Sequence, residues 1–174
     1  MWLRWKTLCA WTTITFICSP CAAQTPEAAS QRAESYIAAH GGTFVPVDRL
    51  EIDGYRMTCG QFPTVLDPDL DDFGAAPVGL IVLNPRLFGG LATPVKLWIF
   101  SHECAHQAVG LDEVKADCVA IRRGRSEGWL TQSGLQQVCE FMQPARGDQS
   151  HFTGTQRCAL MRQCFQEKNE VLHR

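Results

Sequence analysis

The sequence has no block of positive charge. Its densest basic stretch is Ile121-Arg122-Arg123-Gly124-Arg125, and the whole chain carries a formal net charge of -2. A nucleic-acid-binding surface needs a basic patch to neutralise phosphates, so nucleic acid is not an expected partner. No repeat, low-complexity block or linker divides the chain. No apolar run approaches the ~20 residues that span a bilayer. The cysteines form no C-x-x-C pair, which argues against a cysteine-built metal site.

What is abundant is cysteine itself, with nine in 174 residues. Residues 1–23 read as a secretory signal. Arg4 and Lys6 form a basic start, residues 8–18 are mostly apolar, and Cys21-Ala22-Ala23 puts small side chains before a cut ahead of Gln24. Three cysteines leave with that segment, and Cys59, Cys104, Cys118, Cys139, Cys158 and Cys164 remain. An even number behind an export signal predicts up to three disulfides in a secreted or periplasmic protein. The signal holds no acidic residue, so the rest is more acidic than the whole. Such a chain is expected to stay off the membrane after cleavage. Residues 24–174 are expected to form one domain.

Local signals predict an α+β fold. Thr25-Pro26 starts a helix that His40-Gly41-Gly42 stops. Short strands are expected over 43–47, 50–52 and 55–59, with Asp48 and Asp53-Gly54 as turn residues, before a Pro/Asp/Gly-rich loop over 61–77. Residues 79–83 are the best strand, closed by Asn84-Pro85. Thr93-Pro94 opens a helix ended by Gly110 and apolar nearly all round, which predicts burial at the centre of the fold. Asp112, Thr131 and Thr153 cap three more, and the last carries Cys158, Met161, Cys164 and Phe165 on one face. Asp67-Pro68-Asp69-Leu70-Asp71-Asp72 has the acidity of a calcium loop. The EF-hand pattern requires Gly sixth and Glu twelfth, however, and Asp72 and Val78 stand there. A solvated acidic loop is expected.

The chemistry lies in the central helix, at His102-Glu103-Cys104-Ala105-His106. Four residues make about one turn, so both imidazoles project from one face at a separation a single cation bridges. Glu103 lies roughly 100° round the helix, able to reach a metal-activated water without ligating the metal. A catalytic zinc takes three protein ligands and keeps a fourth position open. Gly110 lets the chain reverse, and Glu113 then begins the next helix with Asp117 one turn on.

His102-Glu103-x-x-His106 followed by Glu113-Val114-Lys115-Ala116-Asp117 resembles the gluzincin metallopeptidases, where H-E-x-x-H precedes a helix bearing E-x-x-A-D. It is most similar to small soluble relatives of the CAAX-prenyl-protease and HtpX-type group. That resemblance implies a small, disulfide-braced zincin-like domain with a short sheet, a buried H-E-x-x-H helix and a C-terminal helical part. It implies Glu113 as third zinc ligand and Asp117 as the acceptor orienting a ligand histidine. It implies a zinc metalloendopeptidase acting on peptide or protein substrates, with Glu103 as general base. The HtpX-like enzymes have a long insertion where only six residues separate His106 from Glu113 here. Metzincin spacing would instead make Asp112 the ligand, but the metzincin glycine falls on Val109 and no Met-turn is evident. Glu113 is preferred, because Asp112 also suits the N-cap.

Ser150-His151-Phe152 with Arg157 resembles the family's T-H-P-x-x-x-x-R-I element without its Pro or Ile. His151 is then either an oxyanion donor or a plain loop histidine. Residues 80–83 are either the substrate-lining edge strand of zincin-like folds or a buried central strand. A Cys104–Cys118 disulfide would join the two metal-bearing helices. The alternative to an enzyme is a non-catalytic exported binding or structural module whose zinc, closed by a fourth protein ligand, staples a small core.

Overall fold

The computed structural model describes residues 25–147 and 152–167; the expected signal and His151 lie outside the described residues. The fold is α+β, with six helices and a small sheet among the described residues. Helix α1 (Pro26–His40) starts where Thr25 Oγ1 accepts from the Ala28 amide at 3.2 Å, and it ends at Gly41. Strand β1 (Thr43–Val45) follows. Strands β2 (Leu50–Ile52) and β3 (Tyr55–Met57) form a separate antiparallel hairpin. Its two-residue turn has Asp53 and Gly54 both at positive φ, the twist that tight hairpins favour.

The main sheet runs β1, β4 (Thr64–Leu66), β6 (Ile81–Leu83), β5 (Gly74–Ala75). The β4–β6 pair is parallel, and β1–β4 and β5–β6 are antiparallel. Of the two readings of 80–83, the buried central strand is the one observed: all three residues of β6 are buried between β4 and β5. The edges are β1 and β5, and the expected loop over 61–77 is corrected, because it contains β4 and β5. Strands of three and two residues beside prolines and aspartates carry too little alternation to read, and pairing with β1 and β6 for β4, and with β6 for β5, makes them strands.

After α2 (Pro85–Phe88), capped by Asn84, helix α3 (Thr93–Val109) passes beside β5 and β6. Val95, Leu97, Trp98, Ile99, Phe100 and Ala105 are buried in it, while Ala108 is exposed, so burial stops at the last turn. Helices α4 (Glu113–Ser126) and α5 (Gln132–Met142) pack on α3, and α6 (Gly154–Gln166) packs on both α4 and α5. The start of α6 is placed by a close approach. A Cβ on Gly154 would stand 1.7 Å from Met142 O, so only glycine lets α6 begin against the end of α5. No helix among the described residues is long and apolar enough to cross a membrane.

Three disulfides brace this arrangement: Cys59–Cys104, Cys118–Cys164 and Cys139–Cys158, with Cα separations of 5.5, 5.3 and 5.2 Å. The expected Cys104–Cys118 pair is overturned. Cys104 lies two residues, about 200°, round α3 from His102, so it points away from α4 and meets the loop after β3. Cys118 instead ties α4 to α6. The acidic stretch is solvated as expected at Asp69, Asp71 and Asp72, and differs at one residue. Asp67 is buried, and its carboxylate accepts from Tyr36 Oη at 2.8 Å and from the Asp69 amide at 2.9 Å.

Peptide mapping without reductant is expected to recover these three linkages and no Cys104–Cys118 peptide. Replacing Cys118 and Cys164 together with Ser opens a loop of sequence separation 46 and is expected to cost about 4 kcal/mol in urea unfolding, against about 3 for the shorter Cys139–Cys158 loop.

Candidate metal centre

Turn spacing on α3 brings His102 and His106 edge to face, with ring centroids 4.6 Å apart and their Nε2 atoms at 3.0 Å. Gly110, at φ 63°, reverses the chain, and Glu113 enters from the first turn of α4. Its Oε2 lies 3.2 Å from His102 Nε2 and its Oε1 3.4 Å from His106 Nε2. One ligand atom from each of the three residues falls within 4.8 Å of the others. Tetrahedral ligands at ~2.0–2.2 Å from zinc stand roughly 3.3–3.6 Å from one another. The triangle is within a few tenths of an ångström of that, and its nitrogen–nitrogen–oxygen donor set is one zinc accepts. These three residues can hold a metal ion.

The far nitrogens of both rings are engaged, which sets the near ones toward the cluster. His106 Nδ1 is 2.5 Å from Gly110 O, so the Nδ1 proton is donated there and Nε2 keeps its lone pair. His102 Nδ1 is 2.9 Å from Asp117 Oδ1, although its N–H is not aimed well enough for a directed hydrogen bond. Asp117 is buried, at 1% exposure, and needs a counter-charge there. Arg157 supplies it side-on: Nε donates to Oδ2 and Nη2 to Oδ1, both at 2.7 Å. The same guanidinium lies 3.6 Å from Glu113 Oε2 and 5.7 Å from the Trp98 ring centroid.

Charge sets the protonation of the protein groups. Burial pulls the His102 pKa down, but the Asp117 and Glu113 carboxylates outweigh it and raise it to about 9. Glu113 is lowered to about 2, first by its hydrogen bond with His102, against a desolvation cost. Glu103 is raised, chiefly by burial, with the neighbouring charges of Asp72 and Glu113 adding to it and both histidines opposing.

The ligands face a cleft of about 500 Å³. Its walls are α3 (Trp98, His102, Glu103, His106), the β5 region (Asp72, Phe73, Gly74), the end of α5 (Phe141, Met142) and Arg157. A second hollow of about 600 Å³ opens on the other side of Glu103 and His106, between Val78 and Leu111. Asp112 is elsewhere engaged. Its Oδ1 accepts from the Lys115 amide at 3.0 Å and its Oδ2 pairs with Lys115 Nζ at 2.9 Å, so it caps α4 and is no part of the ligand triangle. His151, as donor or loop residue, falls outside the described residues. Sequence reasoning placed Arg157 in the T-H-P-x-x-x-x-R-I-like element but gave it no role; its grip on Asp117 comes from the structure.

Two outcomes are expected. Glu113→Ala should weaken metal binding by more than ~10–100-fold, whereas Asp112→Ala should keep full stoichiometry; elemental analysis after dialysis distinguishes them. A cation taking up these ligands would also have to displace the His102 proton. Below pH about 9 that proton is present, so apparent affinity should fall up to tenfold per unit of acidification, and a competitive-chelator titration should show no such slope above it.

Compared with known proteins, the chain matches no family model, no curated protein and no solved structure.

Proposed function

We propose that this chain is an exported zinc-dependent metallopeptidase of zincin-like fold, secreted or periplasmic after loss of residues 1–23, that hydrolyses bonds within peptide or protein chains. One observation carries the reading. Three ligand atoms, from His102, His106 and Glu113, converge at an open cleft, and the Glu103 carboxylate stands in the same cleft without an ion pair among the described residues. A bound zinc supplies Lewis acidity there and lowers the pKa of a water to ~7.

Glu103 is the group to accept the proton and pass it to the leaving amine. Burial raises its pKa, which moves it toward the range where a carboxylate both takes and returns a proton near neutrality. Gly110 O accepts from His106 Nδ1, the Asp117 carboxylate faces His102 Nδ1 at 2.9 Å, and Arg157 holds Asp117. The β5 edge beside the cleft carries no further strand among the described residues, so an extended substrate can add to it by backbone pairing. The three disulfides accord with an oxidising compartment.

The competing idea, a zinc-stapled structural module, needs a fourth protein ligand. Asp117 is a poor choice, because it contacts the Nδ1 side of His102, away from the Nε2 cluster, and Arg157 occupies both its oxygens. In purified protein lacking residues 1–23, Glu103→Gln is expected to retain zinc while casein or gelatin hydrolysis falls ~10²–10⁴-fold, with chelator abolishing the wild-type activity. Zinc-loaded wild type that cleaves nothing in varied peptide libraries contradicts the peptidase reading and favours the structural module.

A further inference from the structure

Glu103 has an unusual neighbour. A Cβ built on Gly74 would lie 2.9 Å from Glu103 Cγ, 3.3 Å from its Cδ and 3.3 Å from Oε1. The three nearest heavy atoms all belong to that one side chain, so the space the missing methyl would fill is held by Glu103. Gly74 does not adopt a positive φ, so its backbone does not demand glycine. Its lack of a side chain therefore matters for packing against Glu103, not for chain conformation.

The wall itself is fixed. Gly74 pairs with Leu83 of the buried strand β6, and the preceding Phe73 O accepts from the Asn84 amide at 3.0 Å. The Phe73 ring stacks edge-on against Phe141 at 5.1 Å, and Phe141 in turn meets Trp98. An added methyl at position 74 would thus find the strand anchored and Glu103 as the part that gives. Contact at Cγ, midway along the side chain, cannot be relieved by swinging the carboxylate alone; the whole side chain has to change rotamer.

We infer that Gly74 is a positioning residue: the bare backbone of β5 is the surface that holds the Glu103 carboxylate beside the His102–His106–Glu113 cluster. This rests on the peptidase reading for its functional consequence, while the contact itself is measurable without turnover. A longer residue at 74 moves the proton-transfer group off the cluster and leaves the ligands and the rest of the cleft as they are. A misplacement of about 1 Å at such a group costs on the order of 100-fold in rate.

The test is a double-mutant cycle with kinetics alongside. Gly74→Ala is expected to lower Tm by about 3 °C or more when Glu103 is present and by nothing measurable in the Glu103→Ala background. Zinc content should stay at wild-type level, kcat should fall at least about tenfold, and KM should remain within about twofold. Equal Tm losses in both backgrounds overturn the assignment, as does an unchanged kcat in Gly74→Ala. If wild-type protein binds zinc and cleaves no peptide, the peptidase reading fails separately. The Tm cycle still decides whether Gly74 holds Glu103.

Discussion

The structure depends on a buried cluster of polar groups that cannot be left uncompensated. His102 is 6% exposed and Asp117 1%, inside a helical core of Trp98, Ile99, Phe100, Ala120 and Ile121. Such groups are tolerated only when each finds a partner. The partners here form a chain: Arg157 grips Asp117, Asp117 faces His102 Nδ1, and His102 Nε2 meets Glu113. His102 lies on α3, both carboxylates on α4 and Arg157 on α6, so the cluster constrains how these three helices sit against one another.

The covalent bracing follows the same geometry. Cys118, next in sequence to Asp117, joins α4 to α6, the helix that carries Arg157. Cys158, next to Arg157, joins α6 to α5, whose end walls the cleft. Cys104 sits inside the histidine motif and anchors α3 from its opposite face. Fixing a buried ion pair this way limits the relaxation by which a charged core could swell or admit water.

What the sequence made legible was local. The caps at Thr25, Asp112, Thr131 and Thr153 are formed by side chains bonding amides within three residues, a reach that a short motif encodes in full. The Asp53-Gly54 turn and the one-turn spacing of His102 and His106 are of the same kind. Glu113 and Asp117 were singled out by the resemblance of Glu113-Val114-Lys115-Ala116-Asp117 to E-x-x-A-D, and the reversal at Gly110 is what brings Glu113 to the histidines. What stayed hidden depended on distant partners. Six cysteines allow fifteen pairings, and the sequence does not say which way Cys104 faces. Arg157 meets Asp117 across 40 residues, which required the rotation of α6. Strands β4 and β5 are three and two residues long and are held by distant partners, β4 by β1 and β6 and β5 by β6. The wall that β5 builds beside Glu103 therefore lay in a segment that reads as loop.

The most direct test of the metal-centred account is X-ray absorption spectroscopy on the zinc-loaded protein at neutral pH. The account predicts one zinc per chain with only nitrogen and oxygen neighbours at ~2.0–2.2 Å, including two imidazoles. Sulfur scattering at ~2.3 Å, or an imidazole count that His102→Ala and His106→Ala leave unchanged, would contradict it.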